Sequence, residues 1–245
     1  IISDLSKNNK NFFLYLHFSK IHTGIRDEVL QKFDNFSKEY YDDQEKNNQR
    51  YDNLFNEAEL YLENISEHLT KLNLWENSIV VIFSDHGIST GEKFGERAYG
   101  AFCYDYTIKT FSYYLSTLSQ NQEIKNQIRH VDILPTILDH LQIEIDENFE
   151  SLDGVSLLPL ITGNSFEEKF AYTETANPLH EKAPPKKPNT KSIRTSKWKL
   201  IVNEYDNSKE LYNLEDDPHE LKNLINTNLE IETILFNEFK NIQQT

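Results

Sequence analysis

Ser78-Ile79-Val80-Val81-Ile82-Phe83-Ser84-Asp85-His86-Gly87 is the stretch on which the reading of this chain turns. Its first half is dense in β-branched residues, bounded by Asn77 before and Gly87 after, and predicts a central strand buried on both faces. Asp85 and His86 are metal-type ligands at the carboxyl end of that strand, the edge at which open α/β sheets bind ligands. Successive strand residues point to opposite faces, so the two can share one ion only if the chain turns there. Gly87 permits such a turn. By itself an Asp-His pair also reads as a strand-end Asx turn beside a surface histidine, and the neighbouring segments weigh between the two.

Upstream, Asn11–Phe18 (Asn-Phe-Phe-Leu-Tyr-Leu-His-Phe) reads as a buried strand that delivers Ser19-Lys20-Ile21-His22-Thr23-Gly24 at its carboxyl end. Residues 34–49 are polar and read as a surface excursion. From Arg50 to Leu74, apolar residues at Leu54, Ala58, Tyr61, Leu62, Ile65, Leu69 and Leu72 give the one-sided spacing of an amphipathic helix. Strand, helix and strand in that order predict a βαβ unit with parallel strands, whose carboxyl ends open on one edge. His22 and the Asp85-His86 pair are then expected to face one cleft.

Downstream, Gly87, Gly91, Gly95 and Gly100 punctuate a loop long enough to be functional. Thr107–Ser116 reads as a third strand. Arg129–Gln142 reads as a helix with Asp132 as N-cap and Pro135 in its first turn. Leu152–Ser156 is a turn, with Ser156 starting a short helix, and Lys169–Glu174 is a strand. The stretch His180 to Thr190, with Pro184, Pro185 and Pro188, is an extended loop. Ser192–Thr195, Trp198–Asn203 and Glu210–Leu214 predict a small antiparallel sheet, and Leu229–Ile242 a terminal helix. The expected fold is α/β: a mainly parallel sheet flanked by helices over residues 1–150, then a smaller antiparallel subdomain over 151–245.

A formal net charge of −15 over 245 residues argues against nucleic acid or an anionic membrane surface as the main partner. The apolar residues, 38% of the chain, fall in periodic blocks, which favours a packed core over disorder. A single cysteine, Cys103, excludes an intrachain disulfide. No apolar run approaches membrane-spanning length. The chain contains no methionine, even at position 1, and is expected to be a piece of a longer one.

These segments, in this order, resemble the carboxyl-terminal part of a sulfatase of the alkaline phosphatase-like superfamily. Phe12-Phe13-Leu14-Tyr15-Leu16 with His22 is similar to the family's strand and substrate-contacting histidine. Ser78 to Gly87 resembles its second metal-binding segment. Gly95-Glu96, Tyr104-Asp105-Tyr106-Thr107-Ile108-Lys109 and His130-Val131-Asp132-Ile133-Leu134-Pro135-Thr136-Ile137-Leu138 follow in the family's order. Ile193-Arg194-Thr195, Trp198-Lys199-Leu200 and Glu210-Leu211-Tyr212-Asn213-Leu214 through Glu220 are similar to its closing sheet and turn. Each segment is weak alone; together, in this order, they are specific.

The resemblance implies hydrolysis of a small anionic sulfate ester, with Asp85 and His86 as metal ligands and His22 as a contact to the sulfuryl group or acid to the leaving oxygen. It also implies a formylglycine nucleophile made from a Cys/Ser-X-Pro-X-Arg signature. That signature is missing, since Cys103 is followed by Tyr-Asp-Tyr, and so are the opening-strand aspartates of the metal site. Nucleophile and remaining ligands are expected in an upstream region. The family's substrate-binding lysine falls near Ala98-Tyr99-Gly100-Ala101, which has none, so Lys93 and Arg97 are the candidate replacements and Arg194 a further anion contact. The metal is one of Ca, Mn, Mg or Zn: an Asp oxygen with an imidazole suits Mn or Zn, whereas Ca and Mg favour oxygen throughout. Two alternatives stand beside this reading. One is a phosphoester or phosphonate hydrolase, or phosphoglycerol-type transferase, of the same superfamily; the other is a catalytically silent module. His17 reads as structural, His130 and Asp132 as helix-capping, Asp105 as a loop-to-strand hydrogen-bonding residue, and His68 and His140 as solvated.

Overall fold

The computed structural model describes residues 1–7, 11–25, 38–94, 100, 102–146, 151–176 and 186–244. The chain forms two compact units: Ile1–Val80 with Ile88–Tyr99, and Val81–Gly87 with Gly100–Thr245.

The first unit is helical. Helix α1 (Ile2–Ser6) precedes an extended segment, then come α2 (Lys20–Ile25), α3 (Lys38–Asp42) and the long α4 (Gln44–Lys71). Gly24 lets α2 lie close on α4, because a Cβ there would run into the Leu54 side chain. Helix α4 begins six residues before the apolar periodicity does. Its polar first turns are fixed by Asn47, a buried side chain whose Nδ2 donates to the Tyr40 carbonyl at 2.8 Å and the Thr90 carbonyl at 2.9 Å. Leu54 and Leu69 are buried as the spacing predicts, whereas Tyr61 and Leu62, assigned to the same face, are exposed.

The expected strand Asn11–Phe18 does not form. Residues 11–19 belong to no sheet, and Phe12, Phe13, Tyr15 and Leu16 are exposed. A strand exists only where a neighbour completes its hydrogen-bond ladder, and the described residues supply none here. The expected parallel pairing with the strand ending at Phe83 is therefore absent, and His22 sits on α2 instead of a loop after a strand.

The second unit is built on sheets. Strand β1 (Val80–Phe83), which enters it from the first unit, pairs with β2 (Ser112–Leu115) in a two-stranded sheet. Between them α5 (Asp105–Ile108) occupies the start of the segment expected to be all strand. Helix α6 (Ile133–His140) follows a single 3₁₀ turn over His130–Asp132. Asp132, third residue of that turn, closes a capping box with Arg129, accepting its N–H at 2.9 Å and pairing with its guanidinium at 2.7 Å. Helix α7 (Leu158–Ile161) leads to the closing sheet of β3 (Ala171–Thr175), β4 (Thr190–Arg194), β5 (Trp198–Asn203) and β6 (Ser208–Asn213), antiparallel in chain order, with β3 joining the three strands expected there.

The closing sheet is covered on both faces. Ile193, Leu200 and Leu211 stand abreast by register and pack against Leu235 and Phe239 of α8 (Leu229–Gln244). Alternation sends Ile201 and Tyr212 to the opposite face, where they meet Tyr104 and its neighbours Phe102 and Tyr106. That second face sets the position of α5.

Candidate functional site

Strand β1 ends in a turn assembled almost wholly from backbone. Ser84 N–H donates to the Phe111 carbonyl at 3.3 Å, and Gly87 N–H to the Thr107 carbonyl at 2.8 Å. Gly87 lies so close to α5 that a Cβ would run into the Tyr106 carbonyl oxygen. The chain bends at Asp85, and the Asp85 carboxylate closes on the next residue by accepting the His86 N–H at 2.9 Å.

The turn brings Asp85 and His86 together. Asp85 Oδ2 and His86 Nε2 are 3.7 Å apart, with side chains 77% and 37% exposed. His86 Nδ1 lies 2.6 Å from the Gly87 carbonyl oxygen. A carbonyl only accepts, so Nδ1 carries the proton and the neutral ring holds its lone pair at Nε2, the arrangement that suits a metal-binding imidazole. A carboxylate oxygen and an imidazole nitrogen side by side are donor types that divalent ions accept. The pair thus fits a divalent ion as two of its donors. Among the described residues no group of three or more His, Cys, Asp or Glu side chains is arranged to hold a metal.

The other predicted site residues are placed as follows. His22 is exposed on α2, within the first unit. Lys93 is half-buried in the same unit, just after a loop that closes on itself. In that loop Ser89, Thr90 and Gly91 are buried, and the Glu92 carboxylate accepts the Thr90 N–H at 2.7 Å, the Gly91 N–H at 3.1 Å and both neighbouring hydroxyls. Arg97 and the Gly95-Glu96 segment lie outside the described residues.

Arg194 is engaged by protein groups rather than presented to an anion. It forks onto Asp105 through Nε at 3.1 Å and Nη2 at 2.8 Å, while Nη1 donates to Gln127 Oε1 at 2.6 Å and to the Thr195 carbonyl. Its strand position beside Lys199 explains this. Two neighbouring cations on one sheet face draw in a carboxylate, and Arg194 is the two-pronged partner of Asp105.

Asp105 lies at the centre of a buried ionic network. Lys199, with no exposed surface, reaches Asp105 Oδ1 at 2.9 Å and Glu220 Oε1 at 2.7 Å. Burial pushes the Asp105 carboxyl upward, but Lys199 and Arg194 outweigh it and hold the group at about 2. For Glu220 burial prevails over Lys199, and its carboxyl is raised. The sequence reading missed Lys199 and Glu220. The available signal was a lysine between Trp198 and Leu200-Ile201 in an otherwise apolar strand, which is a buried charge in search of a partner.

The profile of the Sulfatase family matches residues 1–143, and that of the N-sulphoglucosamine sulphohydrolase carboxyl-terminal region matches residues 101–245. Arylsulfatase K of Canis lupus familiaris is 30% identical over 181 residues, covering 69% of this chain and 31% of its own length. The crystal structure of yidJ from Bacteroides fragilis, a protein assigned as a sulfatase, superimposes with a TM-score of 0.78 at 20% identity, over 99% of this chain and 56% of that one. The structure of BT4656 with its substrate D-glucosamine-2-N,6-O-disulfate gives a TM-score of 0.60 at 22% identity, over 74% and 37%. The chain thus spans about a third to just over half the length of these relatives.

Proposed function

We propose, from the premise that this chain belongs to the sulfatase family and shares its alkaline phosphatase-like α/β fold, that it serves metal-dependent hydrolysis of a sulfate ester. The observation that carries the reading is the Asp85–His86 pair, 3.7 Å apart at the end of β1, in the segment that resembles the family's metal-binding strand. In this reading the substrate is a small anionic sulfate ester, such as the sulfated sugar bound by BT4656.

Asp85 contributes a carboxylate oxygen and His86 its Nε2 to one divalent ion, Ca, Mn, Mg or Zn. Bound there, that ion supplies Lewis acidity toward the anionic oxygens of the ester. His22 contacts the sulfuryl group or delivers the proton that the leaving oxygen needs, a task suited to an imidazole near neutral pH. Lys93 and Arg97 are the cations assigned to the ester's negative charge. The formylglycine nucleophile, the remaining ligands and the neighbours of a mainly parallel central sheet belong to residues beyond these 245. What supports that assignment is the share of the relatives' length spanned here.

The test uses the 245-residue chain as it stands. Titrated with Mn, Zn, Ca or Mg, it should bind weakly, with affinity lost in Asp85→Ala, because a catalytic metal generally has at least three protein ligands and the described residues offer two. Against an aryl sulfate and an aryl phosphate it should show no turnover with metal present, since loss of a nucleophile removes most of the rate. Turnover at an ordinary enzyme's rate, abolished by Asp85→Ala, would show the site to be complete and overturn the division of labour. Absence of any binding sensitive to Asp85 would sink the metal assignment. One feature favours phosphoryl chemistry as a second reading: Ala98-Tyr99-Gly100-Ala101 lacks the lysine that sulfatases place there.

A further inference from the structure

The register of the closing sheet sets Arg194 directly opposite Lys199 on adjacent strands, so both side chains rise from one face. Like charges in that relation repel, and Lys199 is fully buried. The sheet alone cannot keep them there. Asp105, the first residue of α5, resolves the conflict by binding both: Oδ1 accepts from Lys199 at 2.9 Å and from Arg194 Nε at 3.1 Å, and Oδ2 from Arg194 Nη2 at 2.8 Å. Glu220 adds a second tie, accepting the backbone N–H of Asp105 at 2.6 Å. The start of α5 is therefore fixed to the sheet through side chain and main chain together.

The far end of α5 meets the Asp85–His86 turn. Thr107 offers its carbonyl to Gly87 N–H, and the Tyr106 carbonyl fills the space beside the Gly87 Cα. Four residues of helix thus connect a buried ionic network to the turn that closes the candidate ligand pair.

We propose that Asp105 is a positioning residue for Asp85 and His86: by fastening α5 to Arg194 and Lys199, it holds the Gly87 turn that brings carboxylate and imidazole together. The functional meaning rests on reading the pair as metal ligands, but the geometry belongs to the metal-free chain and is tested there.

The experiment measures two local signals in the ¹⁵N-labelled, metal-free chain: amide exchange at Gly87, and the protonation of the His86 ring nitrogens by long-range ¹H–¹⁵N correlation. The parent chain should show a protected Gly87 amide and a proton on Nδ1. Asp105→Asn should speed Gly87 exchange at least tenfold and replace the single tautomer by a mixture. Arg194→Lys keeps the charge but loses the two-pronged contact, and should move both signals the same way by less. Leu235→Ala, in the core between α8 and the sheet, should leave both signals unchanged when compared at an equal loss of Tm. A folded Asp105→Asn chain with parent-like exchange and tautomer overturns the proposal. So does an equal response to Leu235→Ala, which would make the effect one of global stability. If Asp105→Asn does not fold, Arg194→Lys against Leu235→Ala decides by the same criteria. Adding Mn to the parent chain interrogates the ligand reading separately: His86 signals that ignore the metal sink that reading while leaving the positioning result intact.

Discussion

Lys199 Nζ stands 2.7 Å from Glu220 Oε1, and neither side chain is more than 1% exposed. Charges so far from water persist only when each has its counterpart, and here Asp105 and Arg194 complete the balance. The network therefore specifies which surfaces meet more than it adds net stability.

The first expected outcome follows from removing one member. Lys199→Met leaves Glu220 buried without its cation and should lower unfolding stability by roughly 3–5 kcal/mol. Adding Glu220→Gln, which neutralises the stranded carboxylate while keeping an acceptor for the Asp105 N–H, should restore more than half of that loss. Urea titrations of the parent, single and double variants measure both steps; a double variant no better than the single refutes the charge argument.

A second concerns acid. The Asp105 carboxyl is depressed from its ordinary 3.8 to about 2 by cations that outweigh the upward push of burial. Its contribution is complete above the ordinary value and is lost as pH falls through about 2. Comparing parent with Asp105→Asn, the stability difference should shrink by roughly 2 kcal/mol between pH 5 and pH 2. Glu220 works in the opposite sense: its carboxyl is raised, so its share is present at low pH and is lost as pH rises through the raised value. An unchanged difference across that range would mean Asp105 is not held ionised by its neighbours.

Two glycines separate packing from function. A Cβ at Gly87 would strike the Tyr106 carbonyl, and one at Gly154 the Val131 carbonyl. Each alanine substitution should cost roughly 1–3 kcal/mol by overpacking. Only Gly87→Ala disturbs the contact beneath the Asp85–His86 turn, so it alone should also weaken Mn binding at least tenfold. Calorimetric titration of both variants at matched folded fraction checks the distinction.

The ligand pair itself should be nearly neutral for folding. Asp85 is exposed and His86 half-buried at the surface, and surface substitutions usually stay within about 0.5 kcal/mol. Asp85→Ala and His86→Ala should each abolish measurable Mn or Zn binding while moving Tm by no more than a few degrees. A large fall in Tm with binding retained would assign the pair to structure.

Much of this was legible in the chain. Trp198–Asn203 is rich enough in strand-forming residues (Trp198, Ile201 and Val202) to give β5 to the residue, and the apolar spacing of Leu229–Ile242 gives α8 to within two. Local pattern suffices there because the burial it encodes is satisfied by neighbours close in sequence. Asn11–Phe18 carries the same kind of pattern and forms no strand, since a strand's existence depends on a partner that the segment cannot specify. The Asp85–His86 pair was visible as a motif, but the support beneath it was not. Asp105 meets Arg194, Lys199 and Glu220 across separations of 89, 94 and 115 residues. No windowed periodicity reaches that far.

Those separations also set an order of events. Strands β3 to β6 pair with their neighbours in chain order, so the closing sheet assembles from contacts relatively local in sequence and can form rapidly. Joining Asp105 to that sheet closes a loop of about a hundred residues, an entropic cost that is met only once Arg194, Lys199 and Glu220 already stand in place. The sheet is therefore expected to act as the nucleus, with α5 docking onto it late and the Gly87 turn last of all. Substitutions in β5 should slow refolding, whereas Asp105→Asn should chiefly accelerate unfolding. The turn that carries the candidate ligands would then be the last part of this unit to become native and the first to leave it.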